Sequence, residues 1–172
     1  LIISGRGISN VDLPLVNDEI FDMKVDAHVE KMIVQNSLES NEFIPENKNL
    51  AKVDIDPELL FESKVLVEYK ITVKNQGTIP GTVEKLVDYI PSDMEFDSSL
   101  NSDWYIENDG NIYTTALENE VINPGESRDL KLVLIKNMTE ENTGLVHNSV
   151  EIADASNDRG IDDIDSIPNN QL

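Results

Sequence analysis

A lysine, an aspartate and an asparagine each interrupt an apolar row in this 172-residue sequence, and together they are the ingredients of an amide-forming reaction. Lys31 lies in Met23-x-Val25-x-Ala27-x-Val29-x-Lys31-x-Ile33, Asp88 in Leu86-x-Asp88-x-Ile90, and Asn148 in Val146-x-Asn148-x-Val150-x-Ile152. Residues two apart in a strand share a face, so each polar side chain is expected to point with its hydrophobic neighbours, inward. Burial favours the neutral forms of both lysine and aspartate. A neutral amine held beside a carboxamide attacks its carbonyl carbon and expels ammonia. A protonated carboxyl polarises that carbonyl and relays the protons, leaving a Lys–Asn isopeptide bond. A plainer account uses the same residues: Lys31 reaches water from a strand end, Asp88 caps the turn before Pro91, and Asn148 pins a strand by hydrogen bonds. Periodicity does not by itself bring the three together.

Alternating segments supply the elements that would position them. Phe21–Val34 alternates as a strand, although Phe21, Val25, Val29, Met32 and Ile33 also trace one helix face; its β-rich company favours the strand. Val65-x-Val67-x-Tyr69-x-Ile71-x-Val73 is the clearest strand, with Glu68, Lys70, Thr72 and Lys74 on its wet face and Asn75-Gln76-Gly77 turning it. Residues 36–48 read as polar and turn-like. Ala51–Ile55, Thr82–Ile90, Trp104–Ile106, Ile112–Thr114, Leu130–Leu134 and Val146–Ile152 continue the series. Asn108-Asp109-Gly110 and Asn123-Pro124-Gly125 punctuate it as turns. Short strands with regular turns predict an all-β fold, an antiparallel β-sandwich over 21–155. Residues 1–20 read as a lead-in or linker and 156–172 as an acidic tail.

Charge narrows the function classes. Acidic residues outnumber basic ones 34 to 13, giving a net charge of −21, which repels nucleic acid and anionic lipid and favours divalent cations. Without cysteine there is no disulfide or thiolate metal site. No run approaches the roughly 20 apolar residues of a membrane span, so no membrane insertion is expected in these residues. The opening Leu1-Ile2-Ile3-Ser4-Gly5 is too short for a signal peptide, and the chain reads as a piece of something longer, with any targeting signal or anchor outside it.

The tail offers a second candidate site. Asn157, Asp158, Asp162, Asp163 and Asp165 are five oxygen ligands around Gly160, suited in type to calcium but not spaced as an EF-hand loop; a solvated linker is the other reading. No cofactor other than such an ion is implied. Enzyme signatures are missing: there is no phosphate-cradling glycine loop, nucleophile elbow or metalloprotease helix. His28 and His147 both fall on outward positions, and the expectation is not an enzyme beyond a single self-crosslinking turnover. Trp104, Tyr105 and Tyr113 could stack a sugar, but hairpin packing is the preferred account.

Several segments, taken in order, resemble the immunoglobulin-like repeat domains of cell-wall surface proteins and adhesins of Gram-positive, especially clostridial, bacteria. They are Phe21-Asp22-Met23-Lys24-Val25 leading to Lys31-Met32-Ile33-Val34, then Val67 to Gly77, Val87-Asp88-Tyr89-Ile90-Pro91, Asn123 to Ser127 and Asn148-Ser149-Val150-Glu151-Ile152. The resemblance implies an immunoglobulin-like sandwich in an extracellular protein, secreted or anchored to the cell wall. It also implies a structural or spacer role beside neighbouring repeats of the same polypeptide; a ligand-binding adhesin domain, taking a glycan or matrix protein, is the alternative. By likeness to collagen-adhesin-type modules, Lys31 is the amine, Asp88 the catalytic acid and Asn148 the acceptor. Lys24 is the competing amine, on outward parity. Tails of this kind sometimes bind calcium.

Overall fold

The computed structural model describes residues 19–139, 144 and 146–164. Among them the strands are β1 (Met23–Gln35), β2 (Ser40–Phe43), β3 (Lys64–Asn75), β4 (Thr82–Tyr89), β5 (Met94–Phe96), β6 (Tyr105–Ile106), β7 (Ile112–Thr114), β8 (Ser127–Asn137) and β9 (Ser149–Ser156). One sheet has the order β2-β1-β3-β8-β5 and the other β6-β7-β4-β9. Every pairing of these strands is antiparallel. The fold is an antiparallel β-sandwich, as the alternation predicts.

The two inner faces make the core. Ile71 and Val73 of β3, Leu132 and Leu134 of β8, Leu86 of β4 and Ile112 of β7 are all fully buried. Each sits on the apolar parity of its strand, so the hydrophobic effect sets both face and register. Two strands, β2 and β5, form where no alternation announced them. Ala51–Ile55, expected as a strand, has no ladder partner among the described residues; Ala51, Val53 and Ile55 instead pack against Met32, Val34 and Val65. Their alternation records one-sided burial, not pairing.

Chain entry and exit meet. On one side of the entry segment, Thr78 N–H donates to Ile20 O and Gln76 N–H to Asp22 O, both at 2.8 Å. On the other, Phe21 pairs in parallel with Asp163: Ile164 N–H donates to Phe21 O at 2.9 Å and Met23 N–H to the Asp163 carboxylate at 3.1 Å. Glycines make the approach close enough. A Cβ on Gly77 would sit 2.2 Å from Ile20 O, and one on Gly81 would sit 2.2 Å from the Phe21 ring. The described part of the tail is therefore bound to the sandwich, with Ile161 packed against the core.

Candidate functional site

Two of the three reactive residues meet. Asp88 lies on the inward face of β4 with no exposed surface, between Ile112 of β7 and Val150 of β9. Asn148 directly precedes β9 on the same inward parity as Val150 and Ile152, and its amide N–H donates to Asp88 Oδ2 at 2.7 Å. Burial pushes the Asp88 carboxyl up to about 7, more than the amide hydrogen bond pulls it down. It therefore holds its proton to a far higher pH than an ordinary aspartate. Among the described residues, Asp88 Oδ1 and Asn148 Oδ1 are both buried without a hydrogen-bond partner. Such orphaned acceptors are costly, so this pair is polar chemistry held in the core and only half satisfied. Once protonated, Asp88 can donate as well as accept, and an amide turned over would offer it the carbonyl oxygen.

Lys31 does not join them, contrary to its expected inward parity. A β-bulge lies between Val29 and Lys31: Val29 pairs with Tyr69 and Lys31 with Glu68, so Glu30 is the extra residue. One extra residue exchanges the faces of everything beyond it. Met23 lies inward before the bulge, Met32 and Val34 inward after it, and Lys31 turns to the outer face. There its ammonium lies 3.4 Å from Glu42 and 3.9 Å from Glu68, with its side chain about one-third exposed. The inward β1 residue beside Tyr69 is Val29. Glu30 itself is held by Lys48 Nζ at 2.8 Å and His28 Nε2 at 2.9 Å, and these two partners pull its carboxyl down to about 2. Lys24 is exposed and faces Asp26 at 3.6 Å.

A different lysine is buried, and the parity rule would have found it. The row Leu130-x-Leu132-x-Leu134 continues to Lys136, which lies inward with its side chain 8% exposed, its ammonium 2.5 Å from Asp93. Tyr69, buried on β3, lies near both Asp93 and Asp88. Its phenol is pushed up first by burial, then by the charges of Asp88 and Asp93, so it stays protonated; its hydroxyl contacts Met94 Sδ at 4.0 Å.

The tail residues are occupied differently. Asn157 Oδ1 accepts from the backbone of Arg159 and Ile161, Asp163 accepts from Met23, and Asp158 and Asp162 are exposed. Asp165 lies outside the described residues. Among the described residues no three His, Cys, Asp or Glu side chains stand close enough to share an ion. Trp104 is core, its indole N–H donating to Lys131 O at 2.9 Å, while Tyr105 and Tyr113 stack at 6.2 Å with Lys85 over Tyr113. Hairpin packing accounts for them. His28 is tied to Glu30 and His147 is exposed. No family model, curated protein or solved structure matches this chain. Its chemistry has to be read from its own residues.

Proposed function

We propose that this sandwich is a load-bearing spacer module of a bacterial surface protein, placed outside the cell among neighbouring repeats. One observation carries the reading: the entry segment at Phe21 and the exit segment at Asp163 run parallel and are bonded to each other. Tension pulls the first toward its N-terminal side and the second toward its C-terminal side. A parallel pair loaded in that sense is sheared, so its hydrogen bonds resist together instead of opening one after another. Resistance of this kind is a property of the unfolding barrier. The surface-repeat resemblance supports the extracellular setting, and the net charge of −21 suits a soluble stalk.

The test is single-molecule extension of tandem copies. A force peak is expected in the native module and a clearly lower one for Gly81→Ala, whose new methyl displaces the Phe21 ring. Equal forces for the two would remove the clamp from the explanation. The same substitution is expected to cost about 1–3 kcal/mol in urea unfolding, the usual range for overpacking.

The two orphaned oxygens favour a second reading, in which the module also closes a Lys31–Asn148 isopeptide bond. The amine nitrogen would bond to the Asn148 side-chain carbonyl carbon, the C–N bond to the amide nitrogen would break, and ammonia would leave with a proton relayed by Asp88. An ammonium or amine at the pair is the donor that Asp88 Oδ1 and Asn148 Oδ1 lack. Intact mass decides it: the native protein is expected to lose the mass of one ammonia, and Asp88→Ala to retain it. A full mass in the native protein after prolonged incubation would end this reading.

A further inference from the structure

We propose that the bulge at Glu30 is a register lock: held by Lys48 and His28 it keeps Lys31 in water, and released it turns Lys31 toward Asp88 and Asn148. The inference rests on the crosslink reading above and names what controls it.

The ladder itself shows how little has to move. Lys31 now pairs with Glu68, Met32 with Val67, Ile33 with Leu66 and Val34 with Val65. If the extra residue moves from Glu30 to Met32, Glu30 takes Glu68 as its partner and Lys31 takes Val67. Ile33, Val34 and Gln35 keep their partners on β3, and Ile33 keeps Glu42 on β2. Val34 stays in the core. Lys31 arrives on the inward row next to the Val29–Tyr69 pair, and Tyr69 is the residue whose phenol feels the Asp88 charge.

Opposing terms act on the two registers. Release removes Met32 from its small cluster with Val34 and Val65, and it takes the ammonium of Lys31 out of water. Against that, the shifted register supplies a donor to two buried acceptors that have none. It gives up the ion pairs of Lys31 to Glu42 and Glu68 and sets Glu30 opposite Glu68, a like-charge pair that favours the present register. What distinguishes the present register is the grip on Glu30. Lys48 reaches its carboxylate, His28 reaches the same oxygen, and the backbone of Lys48 accepts from Val29 N–H at 2.9 Å, so one loop holds both sides of the bulge. Glu30 and Lys48 are positioning residues; neither touches the reacting atoms.

Lysine acylation by acetyl N-hydroxysuccinimide ester, read residue by residue by peptide mass mapping, tests the lock without requiring the bond. In the full chain carrying Asn148→Ala, which cannot crosslink, Glu30→Gln and Lys48→Gln are each expected to slow labelling of Lys31 several-fold relative to exposed Lys24. Unchanged or faster labelling of Lys31 overturns the proposal. In chains with Asn148 intact, the same two substitutions are expected to speed ammonia loss several-fold. Protection of Lys31 without ammonia loss leaves the lock standing and ends the crosslink reading. Ammonia loss at one rate in all three chains ends the lock and leaves the crosslink.

Discussion

Two buried polar sites in this sandwich follow opposite rules. At the end of β3, Asn75 is fully buried, yet every side-chain group is matched: its amide donates to Ile79 O and Ile122 O at 2.8 Å, and its carbonyl accepts from Gly77 N–H at 2.9 Å. It ties the turn after β3 to the chain around Ile122, close to the entry segment. At the Asp88–Asn148 pair, one hydrogen bond is made and two oxygens are left without partners. A satisfied network fixes a fold; a half-satisfied one in the same core stores free energy that another group can release. The first site is architecture. The second is where a reaction has something to gain.

Acidity should separate the two most sharply. The folded state raises Asp88 from its ordinary 3.8 to about 7, so it binds the proton more tightly than the unfolded chain does. That contribution to stability is fully present below about pH 4 and is lost as pH rises toward 7. The span corresponds to a contribution on the order of 4 kcal/mol. Urea midpoints measured from pH 4 to 8 should therefore fall with pH, and Asp88→Asn, which has no proton to lose, should remove most of that slope. Equal slopes in the two proteins would mean that Asp88 is solvated.

The satisfied site should break in a pH-independent way. Asn75→Ala strands Ile79 O and Gly77 N–H, while Ile122 O still accepts from Gly81 N–H, and at about 1–3 kcal/mol for each unsatisfied group the loss should reach at least about 2 kcal/mol in urea unfolding. Asn75→Asp sharpens the point. It keeps an acceptor for Gly77 but turns a donor into a charged acceptor facing two carbonyl oxygens, so it should cost no less. A loss below about 1 kcal/mol would show that water reaches these groups.

Sequence reasoning saw the second site better than the first. Period-two alternation identified the inward faces of β3, β4 and β9, which is why Asp88 and Asn148 fell where expected. Asn75 looked like an ordinary turn residue in Asn-Gln-Gly, because its partners are backbone groups that leave no side-chain pattern. Lys31 was misplaced for a definite reason: in Lys31-Met32-Ile33-Val34, both parities are apolar after the lysine, so nothing in the pattern reveals a bulge at Glu30. The bulge shows in the pairing with β3, where Val29 meets Tyr69 and Lys31 meets Glu68, and its side-chain partner Lys48 is one a linear reading does not connect to it. Lys136 was legible by the same rule that selected Asp88, one step past three leucines. Gly77 and Gly81 were legible only as turn punctuation, whereas their close contacts depend on the entry segment crossing them.

The smallest expected effect bears on which register the chain holds. With its present partners Lys31 belongs to neither buried site: its side chain is about one-third exposed and its nearest carboxylate oxygen is 3.4 Å away. Partly exposed pairs of this kind contribute about 0–1 kcal/mol, and salt screens them. Lys31→Gln, made in an Asn148→Ala chain so that no bond can form, should therefore change urea stability by less than about 1 kcal/mol. The change should shrink further in molar salt. A loss near 3 kcal/mol, insensitive to salt, would instead place the ammonium inside against Asp88, since removing one member of a buried pair carries a cost of that order. The same measurement thus reads the position of the bulge from the energetics of a single amine.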